Sequence, residues 1–528
     1  MKKNIFISRF LTAVFILTFI VQFFPASTLF AYESRTSLQG EIVRDILNYS
    51  DEEASLIGRL RFSENIDDIF MLNFSLLRDI NNERDEYTWN IGLKDLYDHI
   101  DFIAGNYNLR FGSGLIMGKK QFITSDSFSR SLTVSYDETI IPATGTNPSG
   151  TFFGTTAKIY SAGDQCAAGL IPFFSSQKRF ITPAELEQGY VQSSLPTLTE
   201  RTDKDSKYSE FINIVNYGGM IWFSFIDYFT IQGYGFTTEI NDPERDNIKW
   251  EYNTTEDSGI KRYRAGGIFI EYNDEIISLF IEPVFSSRYY NQPLTGYAFM
   301  WGCGVKSRTL LLSARGKNCT PDFRSEHASG DRNPENAFEI KTGLIPIQNF
   351  ELGALLYSEK NINPSYNSDS PGGAIREEFY TGIKPLKWIK LDLTAARVRS
   401  YRDDSEPEKI KLSSSALFSL PWNIFFRLKS DIQRVSSSSA YVSACELKYL
   451  FYNYFTLSAG YTEIRAGDES GIYAAIIPAS EAEMCTSLYR ENTKGCAIKL
   501  RYRKEELFFH ARGSLILAAG ESEATAES

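Results

Sequence analysis

Three features that mark common protein classes are missing or scarce in this sequence of 528 residues. After residue 31 there is no run of about 18 apolar residues, which excludes a helical membrane protein. There is no excess of basic residues, because 55 Lys and Arg stand against 66 Asp and Glu and give a formal net charge of -11. Nucleic acid is therefore not an expected partner. Histidine is scarce as well: the chain has only three, so histidine-dependent catalysis has few candidates.

Cysteine is also sparse, and its spacing matches no metal-binding pattern. We expect neither a metal site nor a cofactor. An exported protein meets oxidising conditions, in which Cys485 and Cys496 could form a disulfide that closes one long loop. The remaining cysteines are Cys166, Cys303, Cys319 and Cys445.

The N-terminus has the parts of a secretory signal peptide. Lys2 and Lys3 are basic, residues 10–24 are mostly apolar, and Ala31 supplies the small residue of a cleavage site. Residues 1–31 are therefore predicted to be a signal peptide. The alternative is a membrane anchor, although the apolar stretch is short for a spanning helix. The exported product is either secreted or inserted as a barrel.

What the chain does have is alternation. Aromatic residues make up 14% of it, and near residue 428 apolar positions alternate with Arg427, Lys429 and Asp431. Residues 455–462 alternate in the same way. A period of two gives a strand one apolar and one polar face. Alternating strands of about ten residues with aromatic residues at their ends are typical of a transmembrane β-barrel.

The connections between the predicted strands alternate in length. Tight ones lie near residues 64–67, 96–97, 163, 226–228, 273–275, 306–308, 346–349, 386–388, 420–422, 451–453 and 503–505. Longer, mostly polar ones lie between them, at 81–86, 110–150, 173–207, 241–259, 288–296, 318–335, 360–373, 402–408, 435–439 and 465–494. Outer-membrane barrels have short periplasmic turns and long extracellular loops. The predicted fold is all-β: a transmembrane antiparallel β-barrel of about 22 strands, within roughly 18–24.

One barrel domain, residues 56–517, is predicted to follow a short N-terminal segment and to precede an acidic tail, residues 518–528. The segment 32–55 alternates around Ile42 and Arg44, and it is either an extra strand or a small plug. This acidic tail lies where the last strand of a barrel would end in an aromatic residue. Either a closing strand is missing or the predicted number of strands is off by one. In the loop 173–207, Thr182-Pro183-Ala184-Glu185 predicts the start of a short helix.

Glycines are concentrated in one segment, at Gly105, Gly112, Gly114 and Gly118. Glycines at such density let a strand bend inward or let two backbones pack closely, so their predicted role is structural.

The same segment carries a resemblance. Residues 60–79 and 101–118 resemble the barrel portion of large bacterial outer-membrane proteins named for an attached helix-hairpin-helix domain. Those proteins show Gly-Asp-Tyr and then Phe-Gly-x-Gly-Leu, and this chain has Gly105-Asn106-Tyr107 and Phe111-Gly112-Ser113-Gly114-Leu115. It departs from them at Asn106 and has no helix-hairpin-helix before Leu56. The resemblance implies an outer-membrane barrel, whereas DNA binding, which rests on the missing domain, does not carry over.

Opposite the apolar faces, basic residues gather on the side that would face the lumen. They are Arg59, Arg61, Arg427, Lys429, Lys499, Arg501, Arg503 and Arg512. If the first and last strands are neighbours, the cations on them form one patch that would favour anions in a pore. Alternatively, these residues pair with inner-wall acids such as Glu282, Glu351 and Asp392 and merely fill the lumen.

An enzyme is not expected. His510 and Ser514 lie four residues apart on one strand face, as in a lipid-cleaving pair, but that face is predicted to point to the lumen and no orienting acid accompanies them. The predicted function is a porin-like channel or transporter of the bacterial outer membrane for small solutes, with anions as candidates. The alternative is a non-conducting surface or assembly protein that acts through its long loops. The expected partners are outer-membrane lipid, the solute and the barrel-assembly machinery during insertion.

Overall fold

The structure, a computed structural model, describes most of the predicted barrel. The described residues are 34–44, 56–66, 69–79, 84–119, 140–143, 151–163, 165–181, 190–191, 210–226, 228–240, 249–250, 262–289, 293–323, 327–329, 335–347, 349–362, 372–400, 408–435, 438–451, 455–465, 472–474, 487–489, 492–504 and 507–518. No helix among them is long and apolar enough to cross a membrane.

Strands make up nearly all of the described chain. In the first half they are β1 (Ser34–Arg44), β2 (Leu56–Ile66), β3 (Phe70–Asp79), β4 (Arg84–Leu96), β5 (Ile100–Leu109), β6 (Met117–Lys119), β7 (Ile140–Pro142), β8 (Phe152–Ala162), β9 (Cys166–Ile181), β10 (Tyr190–Val191), β11 (Glu210–Phe225), β12 (Phe229–Ile240), β13 (Lys249–Trp250), β14 (Arg262–Asn273) and β15 (Ile277–Tyr289). In the second half they are β16 (Pro293–Lys306), β17 (Leu310–Cys319), β18 (His327–Ser329), β19 (Glu335–Ile347), β20 (Phe350–Asn361), β21 (Gly373–Leu386), β22 (Ile389–Ser400), β23 (Lys409–Leu420), β24 (Ile424–Val435), β25 (Ser438–Phe451), β26 (Phe455–Arg465), β27 (Ile472–Ala474), β28 (Ser487–Tyr489), β29 (Thr493–Lys504) and β30 (Leu507–Ala518).

Twenty-four of these strands form one antiparallel sheet, in agreement with the predicted fold class and strand range. The short β7 and the longer β8 both pair with β5, so they share one place in the sheet. Residues Ser34–Arg44, for which the sequence left a strand or a plug open, form a strand paired with β2 along its whole length. The last strand, β30, lies beside β1, which brings the two ends of the sheet together.

Connection length separates the two rims of the barrel. On one, the turn rim, every connection between sheet strands spans two or three residues, close to the predicted positions. The other, the loop rim, carries the long connections, although those at 290–292 and 436–437 are shorter than predicted. Strand β9 also continues to Ile181, past the predicted loop start at Phe173, because it pairs with β11 over all its residues. The predicted helix at Thr182 lies outside the described residues.

The outward face of the sheet is apolar through its middle. Large exposed side chains include Ile221, Ile268, Leu279, Ile281, Phe285, Leu312 and Leu428. Exposed aromatic residues mark the turn rim on the same face, namely Tyr228, Tyr272, Trp388, Trp422, Phe451 and Phe455. Hydrocarbon offers no hydrogen-bond partner to a backbone, so a sheet can cross it only when it closes. The protein is therefore a transmembrane β-barrel, with an aromatic girdle at the turn rim.

The hydrophobic core lies inside the barrel. Its buried residues come from the inner faces of β5, β8 to β16, β19 and β20, from the chain that follows β5 and from Phe323. Aromatic rings form much of it, with Phe173, Phe236 and Tyr263 in successive contact. This core fills one side of the barrel interior and so sets the geometry of the lumen.

Candidate functional site: the lumen and its inward segment

A segment of chain folds from the end of β5 across the lumen. We call residues 111–117 the inward segment. The backbone N–H of Gly112 donates to Gln232 Oε1 at 3.1 Å, and the N–H of Ser113 donates to Glu282 Oε1 at 3.1 Å. Gln232 and Glu282 are buried on the inner faces of β12 and β15. The first part of the predicted outer loop 110–150 is therefore held inside the barrel.

Glu282 anchors this segment. Its carboxylate is fully buried and accepts hydrogen bonds from the N–H and hydroxyl of Ser113 and from the hydroxyl of Tyr234. The Ser113 hydroxyl also lies 3.1 Å from Met300 Sδ. A carboxylate withdrawn from water is costly unless donors replace the lost solvent. These donors offset that cost only while the inward segment is in place.

Apolar contacts hold the rest of the segment. The ring of Phe111 lies 5.9 Å from Phe173 and 5.8 Å from Tyr234, between centroids. Leu115 and Ile116 are buried in the same core. Burial of apolar side chains of this size stabilises the docked position by about 1.5–3 kcal/mol each.

The predicted glycine motif lies in and beside this segment. Gly105 has φ +101°, and a Cβ there would overlap the backbone oxygen of Trp89 on β4. Gly112 has φ +54°, and a Cβ there would overlap Glu282. Gly114 donates its N–H to Phe111 O at 3.1 Å and so closes a turn, and Gly118 lies on β6 opposite Ala328. Side chains at the first two positions would prevent close backbone approach.

A second loop supports the inward segment. Strand β6, which directly continues it, pairs in parallel with β18. Before β18, Phe323 is buried in the core, and Arg288 Nη2 donates to Asp322 O at 3.2 Å. Together, the two loops contact the inner faces of β9, β12, β15 and β16. We call the buried inner surface of β8 to β17 the closed wall.

On the opposite side of the lumen, the inner-face side chains near the turn rim are exposed to solvent. There the inner-face side chains of Lys390, Arg427 and Lys429 are 42%, 53% and 47% exposed. At a similar distance from the turn rim, Phe269 and Phe280 of the closed wall are buried. We call the inner surface of β22 to β25 near the turn rim the open wall. Toward the loop rim the same strands are covered too, for Gln433 and Ala440 are buried.

Three cations of the open wall are paired, whereas Lys448, on the inner face of β25, lies 6.0 Å from the centroid of the Phe425 ring. Lys390 Nζ lies 2.8 Å from Asp392 Oδ2, Arg427 Nη1 lies 3.6 Å from Glu446 Oε2, and Lys429 Nζ lies 2.9 Å from Asp431 Oδ2. The predicted basic residues Arg427 and Lys429 therefore have acidic partners on the wall, as the alternative interpretation proposed. Glu282, named there as an acidic partner, instead binds the inward segment.

For the other predicted basic residues only the backbone is described. The register places Lys499 opposite Arg512, Arg501 opposite His510, and Arg61 opposite Ser75. Because β30 adjoins β1, and β1 pairs with β2, these strands lie side by side. Arg59 and Arg503 lie on β2 and β29, and Ser514 lies on β30. Cys485 lies outside the described residues, so its pairing with Cys496 stays a prediction.

The sequence interpretation missed Gln232, Tyr234 and the anchoring role of Glu282. One weak signal was present: Gln232 and Tyr234 are polar positions on the inner face of β12, and Glu282 is an acid in an apolar run. The inward segment that these residues contact lies far away in the sequence, so their shared role could not be seen.

Comparison with solved structures finds barrels of similar architecture. The P pilus usher PapC translocation pore is similar over 92% of this chain and 96% of its own, at 6% identity and a TM-score of 0.40. The FrpB iron transporter from Neisseria meningitidis is similar over 82% of this chain and 76% of its own, at 10% identity and a TM-score of 0.42. OprD from Pseudomonas aeruginosa is similar over 76% of this chain and 96% of its own, at 9% identity and a TM-score of 0.34.

No protein-family model and no curated protein matches the sequence. The resemblance to helix-hairpin-helix barrel proteins stays a prediction. The fold rests on the sheet itself: a closed antiparallel barrel with short turns on one rim, long loops on the other and an apolar outer belt is a bacterial outer-membrane β-barrel.

Proposed function

We propose that this protein is a gated outer-membrane channel for small solutes, with anions among them. The observation that carries the proposal is the open wall, where charged side chains on the inner face of a membrane barrel are exposed to water near the turn rim. Charges that only filled a lumen would be packed away from solvent. Exposed, paired charges instead line a polar path on which a hydrated solute can move.

The gate in this proposal is the inward segment. Toward the loop rim, described inner-face residues of both walls are buried, so a solute entering from the turn rim meets a constriction. Two kinds of contact hold the segment: hydrogen bonds to Glu282 and Gln232, and the packing of Phe111. Such a contact set has a docked state and a released state, as gating requires.

The proposed preference for anions rests on where the strand register places the basic residues of the first and last strands. Lys499, Arg501 and Arg512 lie on the last two strands. Arg59 and Arg61 lie on β2, which β1 separates from β30, and the register places Glu41 of β1 opposite Arg59. Three cations of the open wall are balanced by carboxylates, so the basic residues of the terminal strands, together with Lys448, would supply the surplus positive charge.

Planar-bilayer recording tests the proposal. We expect discrete conductance steps from the purified barrel and, in a salt gradient, a reversal potential that indicates anion preference. A reversal potential of the opposite sign would reject anion preference alone, while the channel itself would stand.

The covered inner face at the loop rim favours one second candidate, a non-conducting surface or assembly protein. Liposome swelling separates the two, because a plugged barrel admits no sugar. If neither wild-type protein nor a variant lacking residues 112–116 conducts ions or admits sugar, the channel proposal fails and the second candidate takes its place.

A further inference from the structure

The outer wall carries a charged patch that the lumen does not use. Arg262 and Arg264 lie at the start of β14 and share a strand face with Ile268, which is 51% exposed in the apolar belt. Alternate residues of a strand share a face, so both arginines project outward. Because β14 begins at the loop rim, they lie where lipid headgroups of the outer leaflet meet the acyl chains.

The patch has an ordered geometry. Arg262 Nε lies 2.6 Å from Glu239 Oε1, and Glu239 also accepts a hydrogen bond from the Tyr217 hydroxyl at 3.0 Å. The guanidinium of Arg264 lies 5.0 Å from the centroid of the Tyr289 ring. Stacking on an aromatic ring restricts a guanidinium while leaving N–H groups at its edge able to donate.

Charge distinguishes this patch from other arginines at the same rim of the outer wall. Arg397 lies between two carboxylates, those of Glu408 and Glu377. Among the described residues, by contrast, Glu239 is the one carboxylate paired with either Arg262 or Arg264. Among the described side chains of the patch, two guanidinium groups stand against one acid, which gives this group of residues a net positive charge.

We infer that Arg262 and Arg264 form a binding site for a lipid of the outer leaflet whose headgroup carries phosphate. Guanidinium groups match phosphate oxygens with paired N–H donors. The apolar side chains below them, Ile268 and Phe285, are exposed on the same face and would lie along the acyl chains. The phosphate is the ligand that completes the patch.

Lipid retention tests this site. The wild-type barrel, the double variant Arg262→Gln/Arg264→Gln and the control Arg397→Gln are each reconstituted in phosphatidylcholine vesicles doped with bisphosphorylated lipid A. They are then re-extracted in mild detergent, and the retained lipid A is measured by mass spectrometry. Altered gel mobility of the unheated sample shows that each barrel is folded.

We expect the double variant to retain several-fold less lipid A than the wild type, and Arg397→Gln to retain as much as the wild type. The wild type should also discriminate against lipid A from which the phosphates have been removed. Equal retention by all three proteins would overturn the inference, as would an equal loss in the control or no effect of dephosphorylation. An unfolded double variant is replaced by the single variant Arg264→Gln, to which the same outcomes apply.

Discussion

The two inner walls of this barrel share strand geometry and an apolar outer belt, but their inner-face side chains differ in solvent exposure. Near the turn rim, Phe280 of the closed wall is buried, while Lys429 of the open wall is about half exposed. The difference comes from a covering segment that begins far away in the chain. The inward segment donates hydrogen bonds to Glu282 and packs on aromatic residues, whereas the cations of the ion pairs on the open wall are exposed to solvent. The lesson is that strand alternation fixes which residues face inward, and a distant loop decides which of them meet water.

Removing the anchor of the closed wall should have the largest effect. In Glu282→Ala, the donors from Ser113 and Tyr234 lose their acceptor, and we expect the free energy of unfolding to fall by about 3 kcal/mol, since hydrogen bonds to a charged group contribute about 1.5–3 kcal/mol each. The released segment should also raise single-channel conductance several-fold. Urea unfolding in lipid vesicles and planar-bilayer recording measure the two effects.

The matched control lies on the open wall. Glu446→Ala removes the partner of Arg427, a cation 53% exposed, and should cost less than about 1 kcal/mol because solvent screens the pair. Equal losses in the two variants would show that the walls do not differ as described.

A single methyl group should also disturb the closed wall. In Gly112→Ala, the new Cβ overlaps Glu282 at a positive φ of +54°, and we expect a loss of about 1–3 kcal/mol. In the control Gly233→Ala, the Cβ meets no atom within 4 Å, so the change should stay within about 0.5 kcal/mol. Thermal unfolding of both variants under one set of conditions decides the matter; a neutral Gly112→Ala would contradict the docked geometry.

Much of the barrel could be predicted from the sequence, because its signals are local. Period-two alternation and turn residues lie within a few positions of each other, and they placed the turns near residues 163, 226–228 and 420–422 close to where the structure has them. The end of β9 was missed because its long pairing with β11 depends on residues 29 or more positions away, from Ile181 to Glu210.

The site was less predictable. The glycine motif indicated a bend and close packing, but not its partner, since Ser113 and Glu282 are separated by 169 positions. Alternation showed that Arg427 and Lys429 face inward without showing their partners. Asp431 is two positions from Lys429 on the same strand face, while Glu446 lies on the next strand and opposite Arg427 only through the register of β24 and β25.

Charge reversal on the open wall should change selectivity. In Lys429→Glu, two carboxylates face each other where Lys429 and Asp431 now pair. We expect a few-fold change of the permeability ratio toward cations, measured as the reversal potential in a salt gradient. The outward variant Arg397→Gln should leave that ratio unchanged. An unaltered ratio in Lys429→Glu would place the ion path elsewhere.

Cysteine labelling tests the contrast between the walls most directly. In a background with all native cysteines replaced by serine, Lys429→Cys and Ser278→Cys place one thiol on each inner wall near the turn rim, where Ser278 is 6% exposed. A charged thiol reagent should label Lys429→Cys rapidly and Ser278→Cys many-fold more slowly. Adding Glu282→Ala should reduce the difference between the two labelling rates. Equal labelling rates in the otherwise unaltered barrel would contradict the account.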